Sequence, residues 1–177
     1  VEFTSPDATV AHAQLAQEVR KPMVVGTTAL SDAQLESLRL VSKTIPIVVS
    51  PNMSVGVNVL FELAQLAAQR LGSAFDVEVV ESHHRQKKDV PSGTAKRLAA
   101  LLASVRKQPS GAIPVHAIRA GDIVGDHTVV LAGPSERLEL THRAHSREVF
   151  ARGALRAAQF IVTQRPGLYD MSHVLRG

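Results

Sequence analysis

Cysteine is absent from the 177-residue sequence, which excludes disulfide staples and thiolate chemistry and suits a cytoplasmic setting. Tryptophan is absent as well, tyrosine occurs once, and aromatic residues make up 3%. Proteins that hold single-stranded nucleic acid stack bases on aromatic rings, so that class loses support. No apolar run approaches the length of a membrane span, and nothing at the start has the layout of a secretory signal, so no membrane partner is expected. A G-x-x-G-x-x-G turn of the kind that cradles a dinucleotide pyrophosphate is also missing. There are no internal repeats and no low-complexity segments.

Hydrophobic residues make up 45% and charged residues 20%, an ordinary balance for a globular protein able to bury a core. The formal net charge is +4, which favours anionic partners such as phosphorylated cofactors or carboxylates. The basic residues are scattered, apart from Arg85-Gln86-Lys87-Lys88. Scatter of that kind describes a solvated surface, and no nucleic-acid partner is expected.

Short apolar strands alternate with helical stretches, which predicts an α/β fold. Ser5-Pro6-Asp7 opens a helix, and Met23-Val24-Val25-Gly26 reads as a short buried strand. Ser31 and Gln34 form a capping-box pattern before a second helix. A further strand over 45–49 leads into Ser50-Pro51-Asn52-Met53. This is part of a doubly wound sheet. A long helix is predicted over 54–71, a strand over 75–81, a helix over 92–106, and then antiparallel strands over 115–119, 123–131 and 137–143. A last helix starts at Ser146 and ends near Pro166. Residues 54–146 thus read as a module inserted in a domain formed by 1–53 and 147–177, an arrangement that places a ligand cleft between the two.

The segment 81–95 reads Glu-Ser-His-His-Arg-Gln-Lys-Lys-Asp-Val-Pro-Ser-Gly-Thr-Ala. Paired histidines beside Arg85, Lys87 and Lys88 precede a helix entered at Ser92-Gly93-Thr94. The first N–H groups of a helix point forward without intrahelical partners, and Gly93 puts no side chain in the way of an anion. Histidine readily gives up a proton near neutral pH. Nearby cations would depress its proton affinity, and a bound dianion would restore it, which suits an acid that acts only on an anionic substrate. A plainer reading stands beside this one: Ser92 and Thr94 cap a helix, and the histidines sit on a solvated loop. A metal site is not expected. His83 and His84 would point apart on a strand, and His142 and His145 read as strand-end residues rather than a zinc pair.

The pattern Glu-x-His-His-Arg-x-Lys-x-Asp-x-Pro-Ser-Gly-Thr-Ala resembles the signature of the dihydrodipicolinate reductase family. Glu2-Phe3-Thr4 with Pro6, Gly26-Thr27-Thr28, 52–58, 119–125 and Leu140-Thr141-His142 look like the same family in the same order. The resemblance implies a partial Rossmann-like cofactor domain plus an inserted α+β substrate and oligomerisation domain with a mixed sheet. It implies NADPH- or NADH-dependent reduction of a cyclic dicarboxylate, 4-hydroxy-tetrahydrodipicolinate, in lysine and diaminopimelate biosynthesis. Carried over, His83 is the proton donor and Lys87 its partner acid, while His84, Gly93 and Thr94 hold a substrate carboxylate. Gly26, Thr27 and Thr28 border the nicotinamide, where Gly26 would let the backbone approach the ring, and Ser50, Pro51, Asn52 and Met53 form a second cofactor loop. The family's usual state is a cytoplasmic homotetramer. Two departures are expected to matter. The chain begins after the glycine-rich cofactor turn would have ended, and the loop over 107–116 is short and lacks the family's Gly- and Arg-bearing stretch. The first departure raises an alternative: a non-catalytic remnant that binds dicarboxylate and oligomerises but does not bind cofactor.

Overall fold

The protein is described over residues 1–177 by a computed structural model. In chain order the elements are α1 (Pro6–Glu18), β1 (Met23–Val25), α2 (Asp32–Val41), β2 (Pro46–Val49), α3 (Val55–Leu71), β3 (Asp76–His83), α4 (Gly93–Val105), β4 (Val115–Arg119), β5 (Gly125–Ala132), β6 (Arg137–Ala144), α5 (Glu148–Ile161), β7 (Gly167–Tyr169) and α6 (Met171–Arg176). They form two compact units, Val1–Val55 with Glu148–Gly177, and Gly56–Arg147.

The first unit is built on a parallel sheet of order β1-β2-β7. Glu2 adds a parallel bridge to Val25 on the free edge of β1. All three residues of β1 are buried, as expected for a strand covered on both faces. Val25, Leu38, Ile45 and Ile47 pack together, and Val24, Val48 and Met53 pack with Ala154, Ala157 and Ile161 of α5. Ser31 caps α2 with the full reciprocal capping box to Gln34. Helix α5 comes so close to the loop after β2 that a side-chain carbon at Gly153 would collide with the Met53 carbonyl. The final helix is shorter than the sequence pattern predicts. It stops at Ile161, and β7 and α6 follow Pro166. A three-residue strand carries too little periodicity to be read; β7 exists because Pro46–Val48 offers it a parallel edge.

The second unit carries a four-stranded sheet of order β4-β3-β5-β6. The strands after α4 do not form the wholly antiparallel run that the sequence predicts. β4 pairs parallel to β3, and only β5 and β6 are antiparallel to their neighbours. The connection through α4 explains it, because a strand–helix–strand crossover returns the chain in the same direction. Strand β3 also runs two residues beyond the expected end, to His83. One sheet face is covered by α3 and α4: Val57, Leu60, Phe61, Leu98 and Leu102 pack on Val77, Val79, Val129 and Leu131.

Candidate active site

Side chains two residues apart on a strand share a face. Residues Val77, Val79, Glu81 and His83 therefore project to the covered face of the second unit, and all four are buried. The alternation asks for apolar residues; the last two positions are instead a carboxylate and an imidazole. Glu81 is 0% exposed. Its two oxygens are fully engaged: Arg119 donates to both (2.8 and 2.7 Å), the Ser92 N–H donates to Oε1 (3.0 Å), and His83 Nδ1 lies 2.5 Å from Oε2. The register places Arg119 directly beside His83 across β3 and β4, and His127 directly beside Glu81 across β3 and β5. The rings of His83 and His127 meet edge to face at 5.2 Å.

Burial alone would push the Glu81 carboxyl upward. Hydrogen bonds from Arg119, His83 and Ser92 outweigh it and hold the group below the ordinary carboxylate range. Glu81 is thus ionised, an acceptor only, and His83 must donate its Nδ1 proton to it. For His83, burial is the largest influence and depresses proton affinity. The Glu81 hydrogen bond and charge oppose this, the charges of Lys87 and Arg119 add to the depression, and the net position is below the ordinary value. The expected effect of neighbouring cations is present, but burial exceeds it. His127 is pushed down to about 4, first by burial and then by repulsion from His83, so it stays neutral near pH 7.

Ser92 joins this cluster to α4. Its hydroxyl oxygen accepts the Ala95 N–H (3.2 Å) as N-cap and lies 3.1 Å from His127 Nε2. Gly93, the first residue of α4, faces open space: a side-chain carbon there would meet nothing within 4 Å. Thr94 follows on the first turn. Lys87 extends its ammonium to Asp89 (2.7 Å), and its N–H closes a turn on the His84 carbonyl (3.1 Å). The Asp89 carbonyl in turn accepts from Arg119 (2.7 Å), so the loop between β3 and α4 is tied to the Glu81 cluster. His84 is half-buried, and its Nδ1 makes no hydrogen bond within the protein. Each residue of the second unit singled out from the sequence therefore lies on, or one turn from, the junction between β3 and α4.

The remaining predicted residues belong to the first unit. Gly26, Thr27 and Thr28 leave the carboxyl end of β1, and Ser50, Pro51, Asn52 and Met53 leave that of β2. The strands are neighbours, and the Ser50 N–H donates to the Val25 carbonyl (3.0 Å), so the two loops emerge side by side. The room a Gly26 side chain would need is filled by the half-exposed ring of Phe3. Thr27 turns inward to the Thr9 hydroxyl (2.8 Å), Ser50 closes on the Asn52 carbonyl (2.8 Å), and Met53 is sunk in the core. Thr28 is exposed. Adjacent loops at the carboxyl edge of parallel strands, offering mainly backbone groups, fit a dinucleotide cofactor.

Sequence reasoning assigned no role to Glu81, Arg119 or His127. The spacing of Glu81 and His83 contains the signal for the first, given a strand that reaches His83. Arg119 and His127 come from strands whose order and register only the folded sheet reveals.

The family described as "Dihydrodipicolinate reductase, N-terminus" matches residues 1–53, and "Dihydrodipicolinate reductase, C-terminus" matches residues 56–175. The chain is 45% identical over 192 aligned residues to a 4-hydroxy-tetrahydrodipicolinate reductase of Syntrophus aciditrophicus, covering 99% of this chain and 72% of that one. A protein of the same name from Aromatoleum aromaticum is 44% identical, with 99% and 70% covered. Among solved structures, a dipicolinate-bound dihydrodipicolinate reductase from Paenisporosarcina sp. TG-14 superposes with TM-score 0.77 at 27% identity, covering 94% of this chain and 69% of that one. A resemblance carried first by one fifteen-residue stretch thus extends across both units, and the chain belongs to the dihydrodipicolinate reductase family.

Proposed function

We propose that the protein reduces 4-hydroxy-tetrahydrodipicolinate to tetrahydrodipicolinate with NADPH or NADH, a step of lysine and diaminopimelate biosynthesis in the cytoplasm. Similarity to reductases over nearly the whole chain supports this over the non-catalytic alternative. The observation that carries the chemistry is His83 anchored on the buried Glu81–Arg119 pair, beside the open first turn of α4.

In the overall reaction a hydride and a proton are taken up and the substrate hydroxyl leaves as water. The nicotinamide supplies the hydride when bound. Gly26, Thr27, Thr28 and the loop Ser50, Pro51, Asn52, Met53 would hold it. His83 is the proton donor, through Nε2, since Nδ1 is committed to Glu81. The ring is made a weak base by burial, and a dianionic substrate raises its proton affinity when it binds. Lys87 is the partner acid and a counter-charge to the substrate. The backbone at Gly93 and Thr94 and the unengaged nitrogen of His84 receive a carboxylate. Val80, Ile118 and Val130 give the uncovered face of the second sheet its apolar patches. That face is the proposed assembly surface of a homotetramer.

The test is loss of reduced-nicotinamide absorbance with the cyclic dicarboxylate as substrate. His83→Gln and Lys87→Ala should each reduce turnover by about 10²–10⁴-fold, the usual contribution of a positioned acid, with the circular dichroism spectrum retained. Wild-type turnover in the double variant would overturn both roles.

A further inference from the structure

We propose that Glu81 is the positioning residue of the site: by accepting the Nδ1–H of His83 it fixes the ring's tautomer and orientation and leaves Nε2 as the nitrogen that passes on a proton. The assignment rests on His83 being the proton donor.

Three observations carry it. The first is cost. Glu81 occupies an inward strand position that continues Val77 and Val79, where an apolar side chain would pack without penalty. A buried ion pair gains little stability over such packing, because desolvation offsets the attraction. Glu81 nonetheless sits there fully buried.

The second is the division of its acceptors. Oε1 takes the Ser92 N–H and one Arg119 nitrogen; Oε2 takes the other Arg119 nitrogen and His83 Nδ1. Two rigid donors, a planar guanidinium fork and a backbone amide at a helix start, hold the carboxylate in one pose. The fourth bond transfers that pose to the imidazole.

The third is the opposite edge of the ring. Gly125 lies beside His83 Nε2, and a side-chain carbon there would sit 3.1 Å from it. Glycine leaves that nitrogen uncovered. His127 packs edge-on against the ring at 5.2 Å, so the imidazole is held on its Nδ1 edge and flank while Nε2 is uncovered on the Gly125 side.

The charged and titratable groups around His83 come from four elements: Glu81 on its own strand, Lys87 on the following loop, Arg119 on β4, and His127 on β5. Of these only Glu81 favours the protonated ring; Lys87 and Arg119 oppose it. Glu81→Gln keeps the shape and removes the charge. It should lower kcat by about 10²-fold or more, change KM for the dicarboxylate little, and move the alkaline limb of the pH–rate profile to lower pH. Glu81→Asp, which retains the charge, should return that limb toward its original place.

A second readout uses the unaltered protein. Nitrogen-15 shifts and couplings of the His83 ring should show the Nδ1–H tautomer when neutral, whereas a free histidine side chain in water favours Nε2–H. Turnover in Glu81→Gln with an unmoved limb, or an Nε2–H His83 in the wild type, overturns the positioning role. Absence of any turnover in the wild type overturns instead the reading of the reaction, and with it the catalytic purpose of this pair.

Discussion

At the scale of single residues, the site is defined by polar groups placed where the strand pattern calls for apolar ones. Glu81, His83 and His127 all sit on the covered face of the second sheet, and each creates a debt in desolvation met in a different way. Glu81 is satisfied by four hydrogen bonds. His83 is held by Glu81. His127 stays uncharged, with only Ser92 beside its Nε2 and no partner at Nδ1. That last choice has a consequence for stability. The folded His127 takes a proton only near pH 4, against 6.5 when unfolded. Above pH 6.5 both states are neutral and the residue adds no pH dependence. As pH falls from 6.5 to about 4 the unfolded chain binds a proton that the folded chain does not, so stability declines across that window and levels off below it. The loss attributable to His127 should approach about 3 kcal/mol. Urea midpoints measured from pH 7 to pH 4 should fall in the wild type and fall distinctly less in His127→Gln. Parallel curves for the two proteins would show that His127 is not the titrating group.

At the scale of elements, local chemistry accounts for most boundaries. Ser5, Ser31 and Ser92 cap α1, α2 and α4 through their hydroxyls, and each cap is readable from residue type and spacing. Where an element departs from its local pattern, the reason lies in pairing. Strand β3 continues through Ser82, which β4 and β5 pair on both sides, to His83, which pairs with Arg119 of β4, and composition cannot show this in so polar a stretch. Strand β7 is stabilised only by its edge contact with β2. The fit of α5 against the loop that follows β2 is also invisible locally, since Gly153 within a helix reads as a weak point rather than a requirement. Its neighbour is the Met53 backbone, which cannot yield as a flexible side chain would. Gly153→Ala should therefore destabilise the protein by about 3 kcal/mol, although alanine is the better helix former. Thermal unfolding decides between the two effects: a raised melting temperature would mean that helix propensity wins and the close approach is unimportant.

At the scale of the molecule, the second sheet has one face under α3 and α4 and another that bears Val80, Ile118, Thr128 and Val130 among Glu78, Asp126, Glu139 and Arg143. This is the face proposed above as the assembly surface. Ile118→Lys combined with Val130→Glu should dissociate the proposed tetramer while circular dichroism stays unchanged, and sedimentation velocity would report it. An unchanged mass would move the assembly surface elsewhere. The α/β class was determined by the sequence by itself, which also led to the expected module boundary near residue 54 and the proposed anion site at Ser92-Gly93-Thr94, because hydrophobic period, capping residues and glycine act over a few neighbours. The tertiary structure alone decided that β4 runs parallel beside β3, that Arg119 reaches Glu81, and that His127 flanks His83. Those pairings join residues 38 and 46 positions apart along the chain (Glu81 to Arg119, Glu81 to His127), and contacts at such separation depend on strand order, which no local pattern encodes.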